Sequence, residues 1–327
     1  MDSNIMKYAT ERMNSMGKAQ RPYFFMFDFE LKRPVIHPLD ELPEDIIIST
    51  PLFENSGPER HKRDDAITLK AEPVSFSEYK KAFKNVIRNI VHGNSYLLNL
   101  TFPSRIITDA NLEEIFYSSR ARYRLLIKNK FVVFSPEIFV RIDEAGTIKS
   151  FPMKGTIDAS VPEAEKIILE DEKEKAEHNT IVDLIRNDLS MNAENVRLER
   201  YRYIDTIETS SYTLLQVSSE IAGALGPGWR ARAGSIIGSM LPAGSISGAP
   251  KKETLRIIRE SEISDRGYYT GIFGIFTGKE LDSAVMIRFI EQNDKGYVYR
   301  SGGGITYLSR MEMEYKELVK KIYVPLG

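Results

Sequence analysis

No cysteine occurs among the 327 residues, which excludes disulfides, thiolate metal sites and a cysteine nucleophile. Histidine is scarce too. His37, His61, His92 and His178 are the whole set, too few for a histidine-rich metal centre. Neither sign of charge is in excess: forty-five basic residues against forty-six acidic ones leave a net charge of −1. The basic surplus or stripe that nucleic-acid binding needs is therefore missing. No apolar run reaches the roughly 18 residues that would span a bilayer. The N-terminal MDSNIMKYATERMNSMGKAQ carries charges where a signal peptide has an apolar core. There is no Walker loop, no GxGxxG after a strand, no internal repeat and no low-complexity tract. What is present is ordinary for a folded protein, 42% hydrophobic and 28% charged residues, and points to one or two domains of a soluble, intracellular, cytoplasmic chain.

The polar stretch Glu54–Pro73 reads as a loop or linker. It follows an N-terminal segment with strand-like YFFMFDFE at Tyr23–Glu30. Ser75-Phe76-Ser77-Glu78 fits a capping box, and Phe83, Val86, Ile87, Ile90 and Val91 form an apolar helical face that Gly93 ends. The chain then turns β-rich in Phe131–Asp143, Gly146–Ile157, Tyr269–Gln292 and Gly296–Leu308, all dense in Val, Ile, Phe and Tyr between turn residues. Asn293-Asp294-Lys295-Gly296 predicts a hairpin, so part of the sheet is antiparallel. Helices are expected at about Pro162–Asp188, after Pro250 and from about Arg310. This is a mixed α+β pattern without regular βαβ alternation.

Several clusters could carry chemistry, and each has a plainer reading. Glu174 and Glu177 share a helical face, as do Glu314 and Glu317, with Lys321 four residues further on. Acidic residues usually form a solvated face. Two carboxylate pairs on two helices can instead hold a hard cation such as Mg²⁺, with retained waters and an anionic substrate. Glu137 in Ser135-Pro136-Glu137 and Lys154 in Pro152-Met153-Lys154-Gly155-Thr156 flank a turn at Glu144-Ala145-Gly146. A hairpin there can bring acid and amine together, either as a surface ion pair worth about 0–1 kcal/mol or as an acid and a nucleophile. The glycine run in Ser301–Gly304 suits a bulge or tight sheet crossing, or a backbone that approaches a carboxylate. Leu241–Lys251 (LPAGSISGAPK) combines small residues with a helix start whose free N–H groups suit an anion.

In order along the chain, SPEIF, PMKGT, KAEHNTIVDLIRNDL, LPAGSISGAPK, RGYYTGIFG and SGGGITYLSRMEMEYKEL resemble the motifs of the chorismate-utilising enzymes, from about Val74 to the C-terminus. Within that family the chain is most similar to the aminodeoxychorismate synthase component I (para-aminobenzoate synthase component I) branch. The resemblance implies an α+β fold of layered antiparallel β-sheets with surrounding helices, as in anthranilate synthase component I. It implies a chorismate-binding catalytic domain over 74–327, with 1–73 a short strand-containing segment and linker of the same domain. Two positions set the branch. Members that add water to chorismate carry a base lysine where Leu97 stands, and anthranilate synthases usually have alanine where Lys154 stands.

The implied activity is amination of chorismate at C4 to 4-amino-4-deoxychorismate, for para-aminobenzoate and folate biosynthesis, by a transferase that forms a C–N bond (transaminase class). Lys154 would attack C2 while Glu137 protonates the departing C4 hydroxyl; ammonia would then attack C4 and expel the lysine. A neutral Lys154 needs a pKa drop of about 3 units, roughly 4 kcal/mol. Mg²⁺ would be held by Glu177 and Glu317, with Glu174 and Glu314 close by. Arg288 and Lys321 match carboxylate-holding positions, and Ser245, Tyr269, Gly302 and Gly303 match pocket-lining ones. The ammonia would come from a separate glutamine amidotransferase subunit, since that chemistry uses a cysteine. Gln216 stands where a histidine is common, and it cannot carry a proton. The N-terminal region is short for the family, so the tryptophan pocket of larger relatives is expected to be absent or incomplete. The alternatives are anthranilate synthase component I, which Lys154 opposes, and a degenerate chorismate-binding subunit, which the retained acid and amine oppose.

Overall fold

Two antiparallel sheets organise the chain, each in its own compact unit. The computed structural model describes residues 3–57, 67–208 and 213–325; His61 and the middle of the expected linker lie outside them. The first unit draws on residues 1–42, 137–245 and 271–285, the second on 43–136, 246–270 and 286–327. Residue 73 is thus not a boundary between compact units.

Among the described residues the first unit's sheet has nine strands. Their order is 153–158, 213–224, 147–150, 138–142, 281–285, 272–276, 23–27 and 35–38, and 194–208 pairs with 213–224. Tyr23–Phe27, Ile272–Phe276 and Leu281–Val285 are buried at every residue, so these central strands read as unbroken apolar runs rather than alternating ones. The helix Ser3–Lys18, which the sequence reading did not anticipate, buries Ala9, Met13 and Met16. It lies against Ala233–Ser239 closely enough that a Cβ on Gly234 would sit 2.2 Å from the Thr10 carbonyl oxygen.

The second unit's sheet runs 248–249, 97–108, 296–306, 289–293, 131–135, 123–127 and 46–49, with 69–72 beside 97–108. Its core gathers Ile106, Phe116, Leu126, Phe134, Ile290 and Tyr299. The capping box at Ser75 and Glu78 is formed, and the helix Phe76–Val91 follows it. That helix buries Tyr79, Ala82, Phe83, Val86 and Ile90, with the large side chains worth about 1.5–3 kcal/mol each. Tyr79 and Phe76 then seat Tyr315, at 5.3 and 5.2 Å between ring centroids. This fixes the terminal helix Met311–Lys320, which carries Glu314 and Glu317.

Three expectations change in detail. The acidic helix expected over Pro162–Asp188 is two helices, Ala164–Glu170 and Glu172–Ser190. Asp171 ends the first and caps the second by accepting the Glu174 N–H at 2.9 Å, as a short acidic side chain does at a helix start. The apolar run Phe131–Asp143 divides at Pro136 into Phe131–Ser135 and Ile138–Ile142, because proline cannot donate to a ladder. The loop reading of Glu54–Pro73 gives way at Leu69–Glu72, a strand paired with Leu97–Thr108. The hairpin at Asp294-Lys295 forms as expected, with Asn293 opposite Gly296. No helix among the described residues is long and apolar enough to cross a membrane.

Candidate functional site

In the first unit the hairpin around Gly146 is formed, with Arg141 opposite Lys149 and Ile142 opposite Ile148. Lys154 lies one strand further along, on Met153–Asp158, where it pairs with Val217. The register slips between Lys154 and Thr156, and Gly155 takes up the slip with φ +77°, a bulge conformation that glycine adopts without strain. A Cβ at Gly155 would come 3.3 Å from Glu174 Oε2 and 3.3 Å from Ile168 Cγ1, so the small residue also leaves room for the acidic helix.

Lys154 Nζ then donates to Glu177 Oε2 at 3.3 Å. The Lys154 side chain keeps 23% of its surface exposed, whereas Glu177 keeps only 7%. Glu177 Oε1 is buried without a hydrogen-bond partner, its nearest cation being Lys173 Nζ at 3.6 Å. Glu137, for its part, accepts a 2.6 Å hydrogen bond from Ser245 Oγ. Beside that bond is a cavity of about 20 Å³ whose lining includes Glu137, Ser150, Asp188 and Ser245, enough for one water molecule. Gln216 stands opposite Thr156 on the strand next to Lys154.

His178, adjacent to Glu177, is almost fully buried and its Nε2 lies 2.6 Å from Ser219 Oγ. Burial, and then the positive charges of Arg202 and Lys154, push it down to about 4, so it is neutral near pH 7.

The second unit holds the other candidate residues. Gly302 sits so close to the next strand that a Cβ would meet the Leu100 carbonyl oxygen at 2.5 Å, the tight sheet crossing considered for this glycine run. Gly303 faces the terminal helix: a Cβ there would be 3.7 Å from Glu317 Oε1, 3.8 Å from Glu314 Oε2 and 3.8 Å from Lys321 Nζ. Lys321 donates to the Gly302 carbonyl at 3.0 Å and pairs with Glu317 at 2.7 Å. Arg288 holds left-handed backbone, φ 54°, stacks on Tyr323 at 4.8 Å and leaves its buried Nε without a partner. Tyr269 is buried and packs edge-on against Phe289. Burial pushes its phenol up to about 12, so it stays protonated and can donate. Leu97 is buried on Leu97–Thr108 and offers no base.

The structure therefore joins Lys154 to Glu177, Glu137 to Ser245, and Lys321 to Glu317 and Gly302. Asp188, His178 and Arg266 were not singled out from the sequence, although all three lie inside quoted motifs. Their burial is the signal that was missing. Among the described residues no three His, Asp or Glu side chains gather into a metal-ligating cluster. Each unit presents a pair instead.

Comparison with known proteins bears on the chain as a whole. The chain is 48% identical over 318 residues to an uncharacterized PabA-like protein of Pasteurella multocida, covering 97% of this chain and 98% of that one. It is 46% identical over 329 residues to an uncharacterized PabA-like protein of Haemophilus influenzae, covering 100% and 99%. Among solved structures, a protein assigned as a 2,3-dihydroxybenzoate-specific isochorismate synthase of Bacillus anthracis superposes with a TM-score of 0.73 at 18% identity, over 97% of this chain and 87% of that one. That likeness establishes the shared α+β fold. The family model for chorismate binding enzymes matches residues 9–327. With nearly the whole length matched, the chain belongs to the chorismate binding enzyme family.

Proposed function

We propose that this chain aminates chorismate at C4, giving 4-amino-4-deoxychorismate for para-aminobenzoate and folate synthesis, with ammonia from a separate glutamine amidotransferase. The observation that carries the reading is Lys154, a half-buried amine on a bulged strand; its ion pair with Glu177 has to be given up before the amine can attack. A lysine here suits covalent attack on the ring, and Leu97 removes the base that addition of water would need. The comparisons lend no support to a transaminase class.

In this reading the Lys154 amine, once its proton has left, forms a bond to C2 as the ring double bonds shift and the C4–O bond breaks. Glu137 delivers the proton that turns the departing hydroxide into water, and Ser245 keeps its carboxyl aimed. Ammonia then forms the C4–N bond, the double bonds shift back, and the C2–N bond breaks to free the lysine. With C2 occupied, ammonia cannot enter ortho to the ring carboxylate. Arg288 and Lys321 would bind the substrate's carboxylates, with Tyr269, Gly302 and Gly303 shaping their surroundings. Mg²⁺ fits the donors of this chain, because the buried, unbonded Glu177 Oε1 is a hard anionic oxygen and Mg²⁺ needs only one or two carboxylates beside water and substrate. Glu177, with Glu174 beside it, would hold the ion in the first unit, Glu317 with Glu314 being the corresponding candidate pair in the second, and the bound ion would supply positive charge for the ring carboxylate.

The test is a product assay with chorismate, Mg²⁺ and ammonium. The para-amino product supports the reading. The ortho product would make the chain an anthranilate synthase component, and no turnover would favour a binding subunit.

A further inference from the structure

Thr270 and Arg288 both hold left-handed backbone, at φ 59° and 54°. For a β-branched residue such as Thr270 this conformation is rare and persists only where its surroundings enforce it. The Thr270 N–H donates to the Met286 carbonyl at 2.8 Å, two residues before Arg288. Its hydroxyl donates to the Tyr269 carbonyl at 2.6 Å and accepts from Arg266 Nη1 at 3.3 Å.

Arg266 is 1% exposed and clamped by Glu262 through Nε at 2.9 Å and Nη2 at 2.6 Å. Its remaining donors reach the Ile246 carbonyl at 2.9 Å and the Asn99 carbonyl at 2.6 Å. Glu262 Oε1 also accepts the Thr101 N–H and hydroxyl, at 2.9 and 3.0 Å. In the sheet Thr101 lies opposite Gly302, and Asn99 opposite Gly304. The arms of this pair end on segments that carry or adjoin Ser245, Tyr269 and the glycine strand. An ion pair serving stability alone has no need to hold a strained threonine beside a binding residue.

We propose that Arg266, locked by Glu262, is a positioning residue for substrate binding. It holds Thr270 in its left-handed turn, so that Tyr269 and, across the Thr270–Met286 bond, Arg288 are presented to a carboxylate of the substrate. This deepens the reading of Tyr269 and Arg288 above and rests on it, but it does not require the amination step.

Chorismate binding measured by calorimetry tests it, on wild type, Thr270→Gly, Thr270→Ser and Arg266→Met. Glycine accepts the left-handed backbone but severs the hydroxyl tie, whereas serine keeps both the hydroxyl and the tie. Thr270→Gly should weaken binding about tenfold or more, the scale on which small misplacements act, with its unfolding midpoint unchanged. Thr270→Ser should bind within about twofold of wild type. Arg266→Met is expected to lose stability as well as binding, so the Thr270 pair decides. Wild-type affinity in Thr270→Gly, weakened binding in Thr270→Ser, or a binding loss in Thr270→Gly matched by a fall in its unfolding midpoint would each overturn the inference. Failure of the wild type to bind chorismate would instead bring down the site reading and the inference with it.

Discussion

His178 gives the chain a measurable acid sensitivity. Its ring titrates at about 4 in the folded protein against an ordinary value of 6.5. Between these values the unfolded chain takes up a proton that the folded one refuses, so stability falls as pH drops through that window and the loss levels off below about 4. The 2.5-unit gap, at 1.36 kcal/mol per unit, sets a ceiling of about 3 kcal/mol, and roughly 2 kcal/mol should already be gone at pH 4.5. Ser219 Oγ accepts the Arg202 N–H at 2.9 Å and lies 2.6 Å from His178 Nε2, while His178 Nδ1 is buried without a partner, so a charged ring would bury a donor with nothing to receive it. Urea unfolding of wild type and His178→Gln at pH 7, 6, 5 and 4.5, in metal-free buffer, isolates the effect, since the carboxylates that titrate lower are common to both. The stability advantage of wild type over His178→Gln should shrink by about 2 kcal/mol between pH 7 and 4.5. A His178 ring resonance titrating near 6.5, or parallel pH profiles for the two proteins, would refute the reasoning.

Replacing Lys154 by alanine should slow formation of the para-amino product by about 10³-fold or more, and exposing C2 should let a little ortho product appear by mass spectrometry; an unchanged rate and product would remove the covalent step. Glu177→Gln should abolish Mg²⁺-dependent turnover while the far-ultraviolet spectrum stays the same, because a neutral amide oxygen binds a hard cation less well than a carboxylate. Near-normal turnover that still responds to Mg²⁺ would refute Glu177 as a ligand. The purified chain should use ammonium but not glutamine, having no cysteine, and glutamine-dependent turnover by the chain alone would refute the separate glutaminase.

What could be read from the residues was local. The capping box at Ser75, the Asp294-Lys295 hairpin and the helix after Pro250 follow from short-range rules, and the structure keeps them. The long hairpin of Glu194–Glu208 and Thr213–Ala224 was not legible. Its register shifts between Glu194 and Arg197, between Leu198 and Arg200, and between Arg200 and Tyr203, and each shift breaks the two-residue alternation by which a strand is recognised.

The candidate site divides in the same way. Its residue types were visible in the order of the motifs, but their partners were not. Ser245 lies 108 residues from the carboxylate it holds, a separation that no periodicity encodes. Lys154 meets Glu177 rather than Glu137 because its strand pairs with Thr213–Ala224 and not with the strand that follows Glu137, and the bulge at Gly155 leaves room for the helix that carries Glu177. The chemistry that a lysine can perform here therefore depends on a glycine that performs none. The same holds for Tyr269, whose aim depends on the backbone of Thr270 and so on a buried arginine. In both cases the residue that sets the direction is a chain neighbour of the residue it aims, while the group that is met lies elsewhere in the chain.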